Sequence, residues 1–311
     1  MRTLICGSFA YDNIMVFQDR FKNHILPEQI HILNVCFLVP EMRREFGGCA
    51  GNIAYSLHSL GGQPVPMGTV GKDFSAYQQW LNDHEIEQHC IREVPDAYTA
   101  QAFITTDLDD NQITAFHPGA MNSAHLNTVA DAEHISLGIV SPDGKQAMLE
   151  HAEQFHQAGI PFVFDPGQGL PMFDKASLQH FIELADYITV NNYEGHMLEQ
   201  NSGLSTATIA DRVKALIVTR GELGSQIHVD GKILEIPCAP ASQTVDPTGC
   251  GDAYRGGLLY GIGHQLDWQA TGQLAALMGA IKIETPGTQN YHTSADQVRS
   301  RYQQAYGSAD W

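Results

Sequence analysis

The apolar positions of this chain follow two rhythms. The opening segment Thr3–Phe9 reads as a buried strand that ends at Gly7-Ser8. Asn13–Gln18 and Leu33–Val39 have strand patterning on either side of a polar stretch. From Cys49 onward Ala50, Ile53, Ala54, Leu57 and Leu60 keep helical spacing, and Gly61-Gly62 stops the run. Val65–Val70 predicts a strand and Ala76–Leu81 a helix. Tyr98–Thr106 and Gln112–His117 are rich in β-branched and aromatic residues. They flank the polar tip Asp107-Leu108-Asp109-Asp110-Asn111, which predicts a hairpin.

Beyond that hairpin the rhythm changes. Strands are expected at Ile135–Val140, Pro161–Asp165, Tyr187–Asn191 and Ala215–Thr219, and helices at Gln146–Gln157, Leu178–Leu184 and Ile209–Val213. Alternation of this kind implies a mostly parallel sheet covered by helices. A second hairpin, Ser225–Val229 with Lys232–Ile236, turns at Asp230-Gly231, and helices over Gly251–Gly263, Ala270–Ile283 and Ala295–Tyr306 close the chain. The early strand pairs break the βα alternation. They predict a small sheet built from residues 13–40 and 98–118, beside a large α/β domain of residues 1–12, 41–97 and 119–311. A small sheet so placed is a lid over the strand ends, where such domains bind ligands.

Composition narrows the class. With 43% apolar and 17% charged residues a sizeable core is expected. The six cysteines include no CxxC pair, so neither a zinc site nor a disulfide framework is expected. No run approaches the ~18 apolar residues of a membrane helix, and the N-terminus lacks signal-peptide features, so the expectation is a cytoplasmic enzyme. A net charge of −18 argues against nucleic acid or anionic membrane as partner.

The most informative segment is Asp246-Pro247-Thr248-Gly249-Cys250-Gly251-Asp252-Ala253, which leads into a helical run. Glycines ahead of a helix let backbone N–H groups point at a ligand, and the helix start adds positive potential, so phosphoryl charge is favoured there. A carboxylate in that first turn, Asp252, is placed to take a proton from an attacking hydroxyl. Taken alone it is also an ordinary helix cap. Four companions change that balance. Gly47-Gly48-Cys49-Ala50-Gly51-Asn52 again sets glycines before a helix, Asn191-Asn192-Tyr193-Glu194 sets an amide and a carboxylate three residues apart, and Thr219-Arg220-Gly221-Glu222-Leu223-Gly224 offers Arg220 to phosphate oxygens. Asp12 follows the first strand and can accept from two adjacent sugar hydroxyls. Each has a plainer reading as a turn or cap, but all fall at the ends of strands in one sheet. A Walker A loop fails, because Pro66 and Asp73 stand where Gly and Ser/Thr belong, and neither GxGxxG after a strand nor GxSxG is present.

With these residues assembled, the chain resembles the PfkB (ribokinase-like) carbohydrate and nucleoside kinases over essentially its whole length. Asp246–Asp252 looks like the family's C-terminal signature, with Pro247 and Cys250 departing from its commonest residues. Gly47–Asn52 looks like the N-terminal glycine signature, and Asn191–Glu194 like its N-x-x-E motif. The resemblance implies a three-layer α/β/α domain with a β-sheet lid, and transfer of the γ-phosphoryl group of ATP. It casts Asp252 as base and the backbone of Gly249, Cys250 and Gly251 as an anion hole. Asp12, Gly48 and Asn52 would hold the sugar, and Asn191, Thr219, Gly221, Gly224 and Asn290 would line the ATP site. Glu194 would act on Mg²⁺ through water, and K⁺ is carried over to Asp246 and Thr248, beside Ile283–Gly287. An acidic chain then holds ATP only where local dipoles, cations and Mg²⁺ overcome its global field.

For the acceptor, Ala10 and Val140-Ser141-Pro142 stand where ribokinases carry Asn and Glu, which removes contacts to a free sugar. Phe9, Phe103, Phe116 and Phe164 are candidates for an apolar stacking surface under the lid, with core packing as their other reading. Within the family the chain is most similar to bacterial adenosine kinases, so the expected product is AMP. A free sugar, a sugar phosphate held by Arg43 and Arg44, or a silent ligand-binding regulator are the alternatives. A homodimer through the exposed lid sheet is the partner arrangement considered.

Overall fold

The structure is a computed structural model and describes residues 1–109 and 111–307. Asp110, at the tip of the first hairpin, and the last four residues lie outside the described residues. The chain opens with β1 (Arg2–Cys6), β2 (Ala10–Val16) and β3 (Met42–Gly47), followed by α1 (Cys49–Ser59), β4 (Gln63–Gly71), α2 (Ser75–Asp83) and β5 (Ile91–Val94). The hairpin β6 (Ala100–Thr106) and β7 (Gln112–His117) comes next. Then β8 (Leu137–Val140), α3 (Lys145–Ala158), β9 (Phe162–Phe164), α4 (Lys175–Leu184), β10 (Tyr187–Asn191), α5 (Asn192–Ser202), α6 (Thr206–Ala210) and β11 (Ala215–Thr219) alternate. The hairpin β12 (Ser225–Val229) and β13 (Lys232–Ile236) precedes α7 (Cys250–Gly263), α8 (Trp268–Ile283) and α9 (Ala295–Tyr306).

Nine strands form the large sheet in the order β13-β12-β11-β10-β9-β8-β1-β4-β5. From β11 to β5 the neighbours are parallel, and the pairings of β12 with β11 and with β13 are antiparallel. Their turn uses the left-handed pair Asp230 and Gly231, at φ 50° and 69°, as a two-residue hairpin demands. Alternate side chains of each strand enter different cores. Ile5, Ile139 and Ile217 pack with α1, α7 and α8 on one face, whereas Leu4, Cys6, Val140, Leu216 and Val218 pack with α3 and α4 on the other. These two cores make the three layers.

The small sheet has the order β3-β2-β6-β7. It is mixed, because β2 runs parallel to β6 while both outer pairs are antiparallel. Leu33–Val39, expected to be a strand, has no strand structure, and the strand beside β2 is Met42–Gly47 instead. The charged string Met42-Arg43-Arg44-Glu45 hid it, since it sits in an edge strand whose start is exposed. The small sheet also begins at Ala10, inside the segment assigned to the large domain. Register places Ala10 opposite both Gly47 and Ala100, and Gln101 opposite His117. All four chain crossings between the small sheet and the large domain therefore leave from one edge of it. Asp107 closes the tip of β6–β7, accepting from the amides of Asp109 and Asn111 at 2.9 Å each.

Candidate active site

The parallel strands bring their carboxyl ends to one edge, and the loops there surround a cavity of about 750 Å³. Gly249, Cys250, Gly251, Asp252, Asn191, Glu194, Thr219, Gly221 and Gly224 all line it. Three separately expected segments thus converge, and Cys49 brings in a fourth, whereas Asp12, Gly48, Asn52 and Phe116 do not line this cavity. Gly249 is the N-cap of α7 at φ 78°, a left-handed conformation that glycine adopts without strain. Cys250 donates its amide to Pro247 O at 3.1 Å, so its N–H is turned into the loop and does not serve the expected anion hole. The amides of Gly249, Gly251 and Asp252 have no backbone acceptor among the described residues and remain at the helix start.

Asp252 is in the first turn of α7, and its Oδ2 accepts from Asn52 Nδ2 at 2.8 Å. Asn52 is held in turn. Its Oδ1 accepts from Gln289 Nε2 at 2.8 Å, and Gln289 Oε1 accepts from Trp80 Nε1 at 2.9 Å. The bond fixes one carboxylate oxygen and leaves Oδ1 to accept a proton. Burial pushes the Asp252 carboxyl up to about 6, against the Asn52 bond and the Arg255 charge, while Asp165 and Asp12 add to the rise. A base poised there is ionised at neutral pH yet basic enough to accept a proton.

Asp12 lies on β2, and Ala102 is its register partner as well as that of Phe116. Paired positions point to one face, so Asp12 and Phe116 share the same side of the small sheet. Asp12 also pairs with Glu45, and burial followed by the charges of Glu45 and Asp246 pushes it up to about 6. Gly48, at φ 87°, caps α1, and an added Cβ would meet Ser8 O at 2.5 Å and Ala10 N at 2.6 Å. Glycine is required for that close approach of β3 to the link between β1 and β2.

Several expectations change. Asn290 does not line the cavity; its Nδ2 donates to Glu45 at 2.8 Å and ties β3 to the segment before α9. The neighbouring Gln289 is the residue that reaches Asn52. Arg220 is turned away, donating to Glu235 at 2.5 Å and to Leu223 O at 3.3 Å. Phe9 and Phe164 are fully buried core residues, the latter stacked on Phe181 at 4.1 Å. Phe103 aligns with Ala115, which puts it on the face opposite Phe116, so only Phe116 remains available for stacking beside Asp12. Arg44 is also on the far face, over the Tyr11 ring at 4.9 Å, which separates it from Arg43.

The sequence reading missed Arg255 and Asp165. Arg255 lies one turn beyond Asp252 on α7, is buried, and makes a two-pronged ion pair with Asp165 at the end of β9, with Nη2 2.7 Å from Oδ1. Both line the cavity. The signal for Arg255 was present, because residues three apart share a helix face. Asp165 carried only the hint of its strand end.

Asn191 and Glu194 form a reciprocal cap on α5. Asn191 Oδ1 accepts from the Glu194 amide at 2.8 Å, and Glu194 Oε2 accepts from the Asn191 amide at 2.7 Å. The cap uses Oε2, and Glu194 lines the cavity. No group of three or more His, Cys, Asp or Glu side chains able to hold a metal occurs among the described residues. A magnesium ion carried by phosphates needs only one or two carboxylates and its waters, and Glu194 meets that demand. Asp246, one of the two residues to which K⁺ was carried over, accepts from Thr248 N and Gly287 N, both at 2.9 Å, and its carbonyl oxygen and that of Thr285 accept from the ammonium of Lys282.

A buried carboxylate beside uncommitted helix-start amides, in a cavity of nucleotide size at the carboxyl ends of the strands, fits a phosphotransferase with an alcohol group as acceptor. Comparison with known proteins agrees. The model for the pfkB family of carbohydrate kinases matches residues 14–295, and the chain belongs to that family. The nucleoside kinase of Methanocaldococcus jannaschii is 33% identical over 279 residues, covering 86% of this chain and 89% of the relative. The structure of Burkholderia thailandensis nucleoside kinase in complex with inosine superposes with a TM-score of 0.89 at 53% identity, covering 98% of each chain. The same enzyme in complex with ADP-inosine gives 0.88 at 53% identity, covering 99% of this chain and 98% of the other. The fold is ribokinase-like, as the signatures implied. No helix among the described residues is long and apolar enough to cross a membrane.

Proposed function

We propose that this protein transfers the γ-phosphoryl group of ATP to the 5′-hydroxyl of a purine nucleoside, with inosine and adenosine as acceptors. The observation that carries the reading is Asp252 at the start of α7, which lines the cavity while its other side is held by Asn52 of α1. Likeness to the Burkholderia enzyme solved with inosine supports a nucleoside over a free sugar. Phe116, half exposed on the Asp12 face, offers a ring for the base, and Asp12 accepts from ribose hydroxyls. The separation of Arg43 from Arg44 leaves a sugar phosphate without a paired cation clamp.

Asp252 takes the 5′-proton through Oδ1 while Asn52 holds its other oxygen. The amides of Gly249, Gly251 and Asp252, with the helix start behind them, stabilise charge on the moving phosphoryl group. Thr219, Gly221 and Gly224 form the wall for the nucleotide. Magnesium, held through Glu194 and water, would supply charge neutralisation between the phosphates. The lid excludes water that would compete as acceptor. The lid face away from Asp12 exposes Met42, Phe103 and Ile113, which a second copy would cover; light scattering reads this directly.

The test is ATP consumption with inosine, adenosine, ribose and fructose 6-phosphate in parallel. Turnover with the nucleosides at ten times or more the sugar rates is expected. Preference for either sugar, or turnover with none, overturns the reading.

A further inference from the structure

The carbonyl oxygens flanking the α7 start hold a cation of the chain's own. Lys282, in the last turn of α8, has no exposed surface. Its ammonium donates to Asp246 O at 2.7 Å and to Thr285 O at 3.2 Å. A buried ammonium costs several kcal/mol unless its protons are satisfied. Here two carbonyl dipoles, rather than an ion-paired carboxylate among the described residues, accept from it, an arrangement like the carbonyl oxygens that replace a hydration shell around a potassium ion. One oxygen comes from the segment leading into Gly249, and the other from the segment after α8.

Both segments matter to the site. The amides of Val245 and Asp246 donate to Ile283 O at 2.8 and 3.2 Å, and Gly287 N donates to the Asp246 carboxylate at 2.9 Å. Two residues beyond Gly287 is Gln289, which orients Asn52 on Asp252. The same ammonium lies near Cys250, where α7 begins. It therefore braces the loop presenting the free amides, anchors the segment that supports the base, and adds positive potential at the point where phosphoryl charge develops.

We propose that Lys282 is a tethered replacement for a monovalent cation, so that phosphoryl transfer in this protein needs no K⁺. K⁺ has no room on these oxygens while Lys282 fills them. Lys282 is a positioning residue, since it is fully buried and does not line the cavity. The proposal rests on the kinase reading for its rate measurements but not for its binding measurement.

The experiment compares KCl, NH₄Cl and choline chloride at equal ionic strength, with magnesium, ATP and inosine fixed. Wild-type rates agree within about twofold across the three salts. Lys282→Ala opens the space and loses tenfold or more of kcat in choline chloride, and K⁺ or NH₄⁺ restores most of it with saturation. Lys282→Met, which refills the space without charge, is slow in every salt. Melting temperature gives a reading without turnover: K⁺ raises that of Lys282→Ala relative to choline and leaves wild type unchanged. Activation of wild type by K⁺ more than fivefold overturns the proposal. So does a Lys282→Ala enzyme as fast as wild type in choline, or one whose loss and melting temperature ignore the cation. If no nucleoside is turned over in any salt, the functional reading fails, and the melting temperatures still decide the role of Lys282.

Discussion

Replacing Asp252 by Asn separates what the carboxylate does for chemistry from what it does to stability. The amide keeps the shape and can still accept from Asn52 Nδ2, so the surrounding contacts survive. It cannot accept the acceptor's proton, and loss of a general base costs about 10²–10⁴-fold in kcat. The stability change has the opposite sign. Burial raises the carboxyl from 3.8 to about 6, so the folded state binds the proton more tightly than the unfolded chain. Ionisation therefore weakens the fold as pH rises from 4 to 6, and the penalty is complete above 6. At about 1.4 kcal/mol per pH unit the ceiling is ~3 kcal/mol, and access from the cavity lowers this to ~1–2 kcal/mol. Asp252→Asn should thus melt a few degrees higher than wild type at pH 8, with the gap shrinking as pH falls from 6 toward 4. Calorimetry across pH, with initial rates on inosine, checks both signs. A variant within tenfold of wild type in kcat, or one less stable at pH 8 than its parent, refutes the argument.

The wild-type rate should fall on the acid side with a midpoint near 6, because Asp252 and Asp12 both protonate there; a profile flat to pH 5 would remove both from the chemistry. Asp12→Ala should raise KM for inosine about 10–100-fold, the range of ~1.5–3 kcal/mol for hydrogen bonds to a charged group, with little change in KM for ATP. Asp165→Asn strands the buried Arg255 and should cost ~3–5 kcal/mol in urea unfolding, whereas Asp165→Leu with Arg255→Met should recover most of that loss. Gly48→Ala should lower stability by more than 1 kcal/mol on chemical denaturation, since φ 87° and the 2.5 Å approach to Ser8 O both oppose a side chain.

Legibility in the sequence followed the strength of local constraint. Tyr187–Asn191 and Ala215–Thr219 match β10 and β11 at both ends, because buried parallel strands are continuous apolar runs bounded by polar caps. The string Asp246–Asp252 pointed to the cavity because glycines before a helix free backbone amides at its start, and Gly249, Cys250, Gly251 and Asp252 do line it. Met42–Gly47 escaped notice because its strand status comes from pairing with β2, a tertiary effect that its own charged residues oppose. Arg220 and Arg255 show the limit for side chains. Arg220 looked available for phosphate and is tied to Glu235, while Arg255 was passed over although the fold turns it onto Asp165 at the cavity wall. Direction of a long side chain is set by neighbours distant in sequence, and the local pattern carries no trace of it. Lys282 is similar: one cation in a mostly apolar helix gave no hint that two carbonyls awaited it.

The attachment of the small sheet along one edge limits how it can move. Four covalent links in a row act as a hinge line: tilting about that line bends a few short connections, whereas sliding or twisting in the plane would stretch several at once. The sheet is restricted to a flap with one angular freedom. Asp12 lies on the flap and Asp252 on the base, so, in the proposed reaction, closure would carry a ribose held by the first along a single arc toward the second.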